Sequence, residues 1–323
     1  MKEVKIGFIG AGAIAGHHAN RLSKISGAKI VAAADIDLEK ARGFTEKYGG
    51  TPYRDWREML EKEELDAVYV CLPPFAHSDE VVVAAEKGIH VFIEKPIALD
   101  LETALKMQRA VEKAGVISWV GYQQRQAYSV RLAKKLLEEE GGRIGLLRGR
   151  WWGTVVLGKK WWRVRELSGG QIIEQVTHIY DLARFLCGEV KRVYAEVDTL
   201  FFKDLEDYTI EDVGAAILRF ENGAIGVITN TTGARPNACR VDLELVAKNL
   251  QAEVSVQRAK IYSEGGVVEV ESLNDPMYDE DYKFIKAVAE GGESEVPISE
   301  GVKTLRLTLA VFKAFEEGRP VEL

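Results

Sequence analysis

The chain has 323 residues, 46% hydrophobic and 29% charged, and a formal net charge of −7. That length suits two domains, and the acidic balance excludes general affinity for nucleic acid or an anionic membrane surface, since both require basic patches. Cys71, Cys187 and Cys239 lie far apart, match no zinc spacing and read as reduced thiols; with no leader-like segment before the first strand and no apolar run of membrane-spanning length, a cytoplasmic protein without a metal is expected.

Val4 to Ile9 is a short apolar run of strand character, followed by Gly10-Ala11-Gly12-Ala13-Ile14-Ala15 and a helical stretch to about Ile25. A glycine turn between strand and helix is the context a dinucleotide-binding fingerprint requires. Gly10 permits the tight turn, Gly12 lets backbone approach a pyrophosphate, and the small Ala15 lets helix and strand pack closely. The helix start, with Ala13 and Ile14, offers N–H groups and a partial positive charge to phosphate. The next strand, Ala28 to Ala34, ends at Asp35, placed to accept hydrogen bonds from a ribose diol and to repel a 2′-phosphate. Ile36 stands where an NADP-binding chain more often has Arg or Ser, so the predicted cofactor is NAD. Asp37 reads as a helix cap, with Gly49 closing that helix. Tyr53 begins a short third strand or turn, and Asp55 to Glu63 is helical. Asp66 to Leu72 is the fourth strand, after which Pro73 and Pro74 kink the backbone toward the cofactor. His77 either packs and caps or touches a ligand. Ser78 is the expected N-cap of the next helix, which Gly88 ends.

The fifth strand, from Ile89, runs into Glu94-Lys95-Pro96, where proline, lacking an N–H for the ladder, stops it. Glu94 and Lys95 are thereby held at the C-terminal tip of a strand, the end at which open α/β sheets bind ligands. Asp100 caps a helix closed by Gly115, and Val116 to Val120 is a sixth strand. Strands alternating with helices imply a parallel sheet covered on both faces. Gly121 to Arg125 marks the crossing to a second domain. Ala127 to Glu139 has helical spacing and ends at Gly141-Gly142. Arg143 to Leu157, Val190 to Phe202, Val213 to Phe220, Ala224 to Thr231, Arg240 to Val246, Leu250 to Gln257 and Val267 to Ser272 read as strands, several joined by short turns, so the sheet should be largely antiparallel. One face should carry helices. The other is apolar at Val213, Ala215, Ile217, Ile225 and Val227, which predicts a partner subunit over it.

A single helix is expected after Gly169-Gly170, with Ile172, Val176, Ile179, Ala183 and Leu186 on one stripe and Glu174, His178 and Asp181 opposite. That polar side is either a solvated face or a binding face, and Phe185 on it breaks its polarity. Trp151, Trp152, Trp161 and Trp162 either stack on the apolar face of a pyranose or cyclitol or serve packing. Arg163 and Arg165 either recognise an acidic substituent or lie on the surface. Asp281 to Glu290 and Glu300 to Glu317 read as closing helices with structural roles, capped by Gly291 and Gly318.

The chain resembles the glucose-fructose oxidoreductase / inositol dehydrogenase / MocA family. The pieces that carry the resemblance are Gly10 to Ala15, Asp35, Cys71-Leu72-Pro73-Pro74-Phe75-Ala76-His77, His90 to Pro96, Gly121-Tyr122-Gln123-Gln124-Arg125, and Gly169 to Asp181. The resemblance implies an α/β Rossmann dinucleotide-binding domain over residues 1–121. Over 122–323 it implies an α+β domain with a large, mostly antiparallel open sheet, used for substrate binding and for homodimer or homotetramer contacts. It implies NAD-linked oxidation of a secondary alcohol of a sugar, inositol or related polyol. Lys95 and His178 would be the catalytic pair, His178 as general base and Lys95, paired with Glu94 or Glu174, stabilising charge on the oxygen. Glu174, Gln123, Trp162 and Arg163 would contact substrate. Gly10, Gly12, Ala13, Ile14, Asp35, Ile36, Leu72, Pro73, His77, Glu94 and Lys95 would contact the cofactor. The Lys95–Pro96 bond is expected to be cis. Glu174 stands where the family usually has Asp, and His178 where glucose-fructose oxidoreductase has Tyr, which puts the chain nearer the inositol-dehydrogenase type. A glycosidase acting by transient oxidation and a non-catalytic sensor are the alternatives; the presence of both Lys95 and His178 argues against a sensor.

Overall fold

The computed structural model describes residues 1–323. The chain divides into two compact units, residues 1–123 with 277–302 and residues 124–276 with 303–323. In the first, β1 (Val4–Ile9), β2 (Ala28–Ala34), β3 (Thr51–Tyr53), β4 (Ala67–Val70), β5 (His90–Ile93) and β6 (Ser118–Val120) form one sheet in the order β3-β2-β1-β4-β5-β6. All neighbouring pairs are parallel. Helices α1 (Ala13–Leu22), α2 (Leu38–Tyr48), α3 (Trp56–Lys62), α4 (Glu80–Glu86) and α5 (Leu101–Ala114) connect them. Parallel central strands are covered on both faces, and Val68, Tyr69 and Val70 of β4 and Val91, Phe92 and Ile93 of β5 are accordingly fully buried. Chain order reverses between β1 and β4, the switch point where such sheets take ligands.

The capping residues behave as their chemistry predicts. Asp37, Asp55 and Asp100 accept the N–H groups of Glu39, Arg57 and Thr103, and Gly115, at φ +66°, closes α5. α4 departs from expectation. It begins at Glu80 rather than after a Ser78 cap, because the buried Glu80 carboxylate turns back to accept the Ser78 N–H at 2.7 Å and pairs with the His77 ring at 2.7 Å. The Lys95–Pro96 peptide is cis.

A boundary at 121/122 leaves residues 277–302 with the second domain, but their contacts are with the first unit. Tyr69 and Phe92 stack with centroids 4.6 Å apart, and Phe284 of the Pro276–Glu290 helix packs edge-on against both at 5.6 Å. The Val120 N–H donates to Val296 at 2.9 Å, and the Ile298 N–H to Ser118 Oγ at 3.0 Å.

The second unit holds β7 (Ile144–Trp152), β8 (Val190–Asp198), β9 (Val213–Phe220), β10 (Ile225–Thr231), β11 (Arg240–Ala247), β12 (Leu250–Val254), β13 (Arg258–Ser263), β14 (Gly266–Glu271) and β15 (Val321–Glu322). Their order is β14-β13-β12-β11-β7-β10-β9-β8-β15, antiparallel except between β7 and β10. Three strands stop short of their expected ends, β7 at Trp152, β8 at Asp198 and β12 at Val254. β13 was not expected; only Ala259 and Ile261 alternate inward in a segment otherwise rich in polar residues. Helices α6 (Tyr128–Leu136), α7 (Arg165–Ser168), α8 (Gln171–Glu174) and α9 (Thr177–Cys187), with residues 303–317 of the closing helix Ile298–Glu317, complete it. α9 lies close on β7: a Cβ on Gly149 would sit 2.8 Å from Ile179 Cγ2. On the other face Ile217 and Ile225 are 53% and 40% exposed. Arg148–Glu244 and Arg150–Asp242 pairs share that face, so it is mixed rather than continuously apolar. No helix of the chain is long and apolar enough to cross a membrane.

Candidate active site

The glycine turn sits at the switch point. Gly10 has φ +92°, and a Cβ there would lie 2.5 Å from the carbonyl oxygen of Cys71, just past β4. Protein packing therefore demands glycine at this position. Gly12 is different: a Cβ there would meet nothing within 4 Å, so the fold itself does not require glycine. Gly12 caps α1 with no side chain on the first-turn N–H groups, which leaves Ala13 and Ile14 presenting backbone donors. Open space over uncapped donors fits a pyrophosphate. Asp35 is fixed by two backbone N–H groups, Ala11 at 2.9 Å and Asp37 at 2.9 Å, and Ile36 beside it is 88% exposed. Leu72 and Pro73 are half-buried after β4, with Leu72 Cδ2 against Gly10. The residues present thus fit a dinucleotide. His77 gives Nδ1 to Glu80 and keeps Nε2 without a partner; the Glu80 carboxyl would be raised by burial but is held below its ordinary range by the His77 hydrogen bond and charge and by the Ser78 N–H.

At the tip of β5 the buried Glu94 accepts the Lys95 N–H at 3.0 Å. Gly121 makes room for that carboxylate, since a Cβ there would lie 3.0 Å from it. The other Glu94 oxygen meets His18 Nε2 at 2.9 Å, and His18 Nδ1 meets Asp281 at 2.7 Å. An imidazole that faces a carboxylate on each nitrogen is suited to donate on both, which makes it an imidazolium. Burial works against that charge, but Asp281 and then Glu94 outweigh it and hold the His18 pKa well above its ordinary value. Burial pushes Glu280 and Asp281 up as well. The expectation of a purely structural role for this closing helix missed that its Asp281 completes the chain that fixes Glu94. A signal existed: Ala15, His18, Ala19 and Leu22 are the buried stripe of α1, and a histidine on such a stripe needs partners.

The helix expected after Gly170 is two helices. α8 ends at Glu174 and α9 starts at Thr177, so Glu174 and His178 are not related by one helical phase. Nor is their side solvated: Glu174, His178 and Asp181 are 7%, 5% and 1% exposed. Asp181 is structural, since Arg125 grips both its oxygens at 2.7 and 2.6 Å and Thr304 donates at 3.1 Å. Phe185 lies beneath the cations of Arg125 and Lys134. His178 stacks on Trp151, centroids 5.9 Å apart and planes within 16°. Gly170, at φ +94°, leaves space for Glu211, which accepts the Ile172 N–H at 2.7 Å and whose pKa burial pushes up to about 7.

Trp162, Arg163 and Glu174 come together on one small cavity within the second unit, with Gln171, Tyr208 and Thr232 also in its walls. Gln171 lies within the Gly169–Asp181 stretch, whereas Tyr208 and Thr232 carry no sequence signal that marks them out. Trp152 does not join them; its Nε1 donates to Thr229 on the opposite sheet face. Arg165 packs over Phe312 and faces Glu316 instead. Gln123 begins the short turn Gln123–Gln126 at the end of the first unit.

Comparison with known proteins agrees with this architecture. Residues 4–122 match the model of an oxidoreductase family with an NAD-binding Rossmann fold, and residues 130–266 match the GFO/IDH/MocA C-terminal domain. Myo-inositol 2-dehydrogenase of Thermotoga maritima is 32% identical over 335 residues, spanning 99% of this chain and 98% of that protein. D-apiose dehydrogenase of Paraburkholderia graminis is 28% identical, spanning 100% of this chain and 90% of its own. The solved structure of levoglucosan dehydrogenase with NADH and levoglucosan shares the fold, with a TM-score of 0.93 at 21% identity over 100% of this chain and 99% of that one. The chain belongs to the Gfo/Idh/MocA family of oxidoreductases.

Proposed function

We propose that the protein is an NAD-dependent dehydrogenase that oxidises a secondary alcohol of a sugar, cyclitol or related polyol. The observation that carries this reading is the cradle of Gly10, Gly12 and Asp35 in the unit that also fixes Lys95 through Glu94. Gly12 and the first turn of α1 would take the pyrophosphate, with Leu72, Pro73 and His77 beside the same strand ends. Asp35 would take the ribose diol and repel a 2′-phosphate, which favours NAD over NADP. Ile36 would offer its exposed side chain to the adenine. When bound, nicotinamide supplies the acceptor for the carbinol hydrogen and its electron pair. His178 takes the hydroxyl proton as general base, and the Lys95 ammonium donates to the same oxygen as charge develops on it. Glu174, Gln123, Trp162 and Arg163 orient the substrate.

The outer face around Ile217 and Ile225 suits a second copy of the chain, giving a homodimer or homotetramer, because exposed apolar side chains on a sheet gain by being covered. Three free cysteines suit a reducing compartment such as the cytoplasm.

NADH formation at 340 nm across sugars, inositols and sugar acids tests the reaction. Lys95→Ala and His178→Ala should each lower kcat by at least about tenfold while NAD still binds, the low end of what a positioned acid or base contributes. Near-normal turnover in either variant removes that residue from the mechanism.

A further inference from the structure

We propose that the substrate carries a carboxylate, recognised by Arg163, Trp162 and Gln171; this rests on the dehydrogenase reading and names the substrate class of the same cavity. All three residues line it. Each has a buried N–H without a hydrogen-bond partner: Arg163 Nε, Trp162 Nε1 and Gln171 Nε2. Unpaired buried donors are uncommon in native proteins, because each forgoes its hydration for nothing, and a group of them around one cavity marks where an acceptor belongs. Gln171 is 2% exposed, and its amide orientation is set by its oxygen, which accepts from Asn230 Nδ2 at 3.0 Å. Its NH₂ is therefore the side left over.

The charge balance points to an anion rather than a hydroxyl. Arg163 donates from Nη1 to the Leu157 carbonyl at 3.0 Å and enters no ion pair. Asp207 in the neighbouring segment is taken by Lys160 at 2.6 Å. Arg163 is half-buried and its charge also acts on Asp207, which Lys160 already holds, so the guanidinium fork keeps capacity for a carboxylate in the cavity. Glu174 stands in the same wall, so the acid group belongs at the Trp162–Arg163–Gln171 end and the substrate hydroxyls at Glu174. Three N–H donors match a carboxylate better than a phosphate, whose additional oxygens and charge would lack partners here.

The test compares kcat/KM for hexuronates and aldonates with that for the neutral aldose or inositol of matching stereochemistry and for hexose 6-phosphates, in wild type, Arg163→Gln and Trp162→Phe. An acid preferred at least about 100-fold, with that ratio reduced at least tenfold in Arg163→Gln, is expected. Trp162→Phe keeps an aromatic ring and removes the N–H together with the pyrrole part of the indole, so a smaller loss of the same preference should appear there even if Arg163→Gln folds poorly. A neutral compound or a phosphate used as well as the acid, or a preference indifferent to both substitutions, overturns the assignment. Calorimetric titration of the NADH-loaded protein with hexuronate separates the two claims. Binding without any turnover counts against the dehydrogenase reading and leaves the carboxylate site standing; turnover of neutral polyols with no acid binding does the reverse.

Discussion

Replacing His18 with leucine should expose how the first unit holds its Glu94–Lys95 corner. The imidazole is completely buried, between Glu94 at 2.9 Å and Asp281 at 2.7 Å. Leucine fills much of the space but leaves two carboxylates buried without their counter-ion. Removing one partner from such a pair costs about 3–5 kcal/mol. For a domain of ordinary size, that corresponds to a fall in Tm of roughly 6–20 °C. The pH dependence is the sharper readout. Because the folded-state pKa of His18 is raised, the native protein holds a proton that the unfolded chain releases near pH 6.5. Its contribution is therefore complete below about pH 6.5 and is lost as pH climbs toward the raised native value. Wild type should lose stability from neutral to alkaline pH, and His18→Leu should lack this component of the slope. Below about pH 5 the orphaned carboxylates can take up protons, so the deficit of the variant should narrow. Thermal unfolding followed by circular dichroism at pH 5, 7 and 9 measures all three. A deficit under about 1 kcal/mol at pH 7, or an alkaline slope equal to that of wild type, would refute a buried imidazolium at this site.

Three further substitutions test separate parts of the structure. Gly10→Ala drives a Cβ against the Cys71 carbonyl from a positive φ and should lower Tm, whereas Gly12→Ala meets open space and should leave Tm unchanged while raising the KM for NAD at least about tenfold; calorimetry and kinetics on both variants separate fold from cofactor. Asp35→Ser removes the repulsion of a 2′-phosphate together with the acceptor for the Ala11 N–H, so the NAD/NADP ratio of kcat/KM should fall at least about tenfold, and an unchanged ratio would count against Asp35 as the selector. Glu211, raised from 4.5 to about 7, makes wild type lose stability as pH rises through that window; Glu211→Gln keeps the acceptor for the Ile172 N–H and should match wild type at pH 5 yet exceed it by about 2–3 kcal/mol at pH 8, measured by urea unfolding.

Much of this was legible because local chemistry and fold agreed. The strand–glycine–helix signature, the acidic caps and the proline after β5 each depend on neighbours within a few residues, and all lie where expected. What the sequence hid depends on distant residues. Glu80 competes with Ser78 for the start of α4 because His77 and the Ser78 N–H reward a carboxylate turned backward. Helical phase placed Glu174 and His178 on one face, but backbone periodicity cannot register the break at Gln175. The assignment of residues 277–302 to the first unit depends on Phe284 meeting Tyr69 and Phe92, a contact that no hydropathy window contains.

His18 and Asp181 show why a charge among apolar residues resists interpretation until its partners are known. His18 is buried on an otherwise apolar stripe and Asp181 in a helix that also buries Thr177, His178 and Arg184, and either could pass for a reactive group. Asp181 is ruled out by completeness: its oxygens are saturated by Arg125, 56 positions away, and by Thr304, so little capacity remains for a substrate. His18 is likewise saturated, by Asp281 at a separation of 263 positions and by Glu94, and acts on chemistry only through the residue it fixes. Arg163, Trp162 and Gln171 are the opposite case, buried donors left with capacity to spare. Burial alone is common to both groups. The difference lies in whether the protein has already supplied every partner, since a group with its hydrogen bonds filled must break one to bind anything else, whereas an unfilled donor gains by binding.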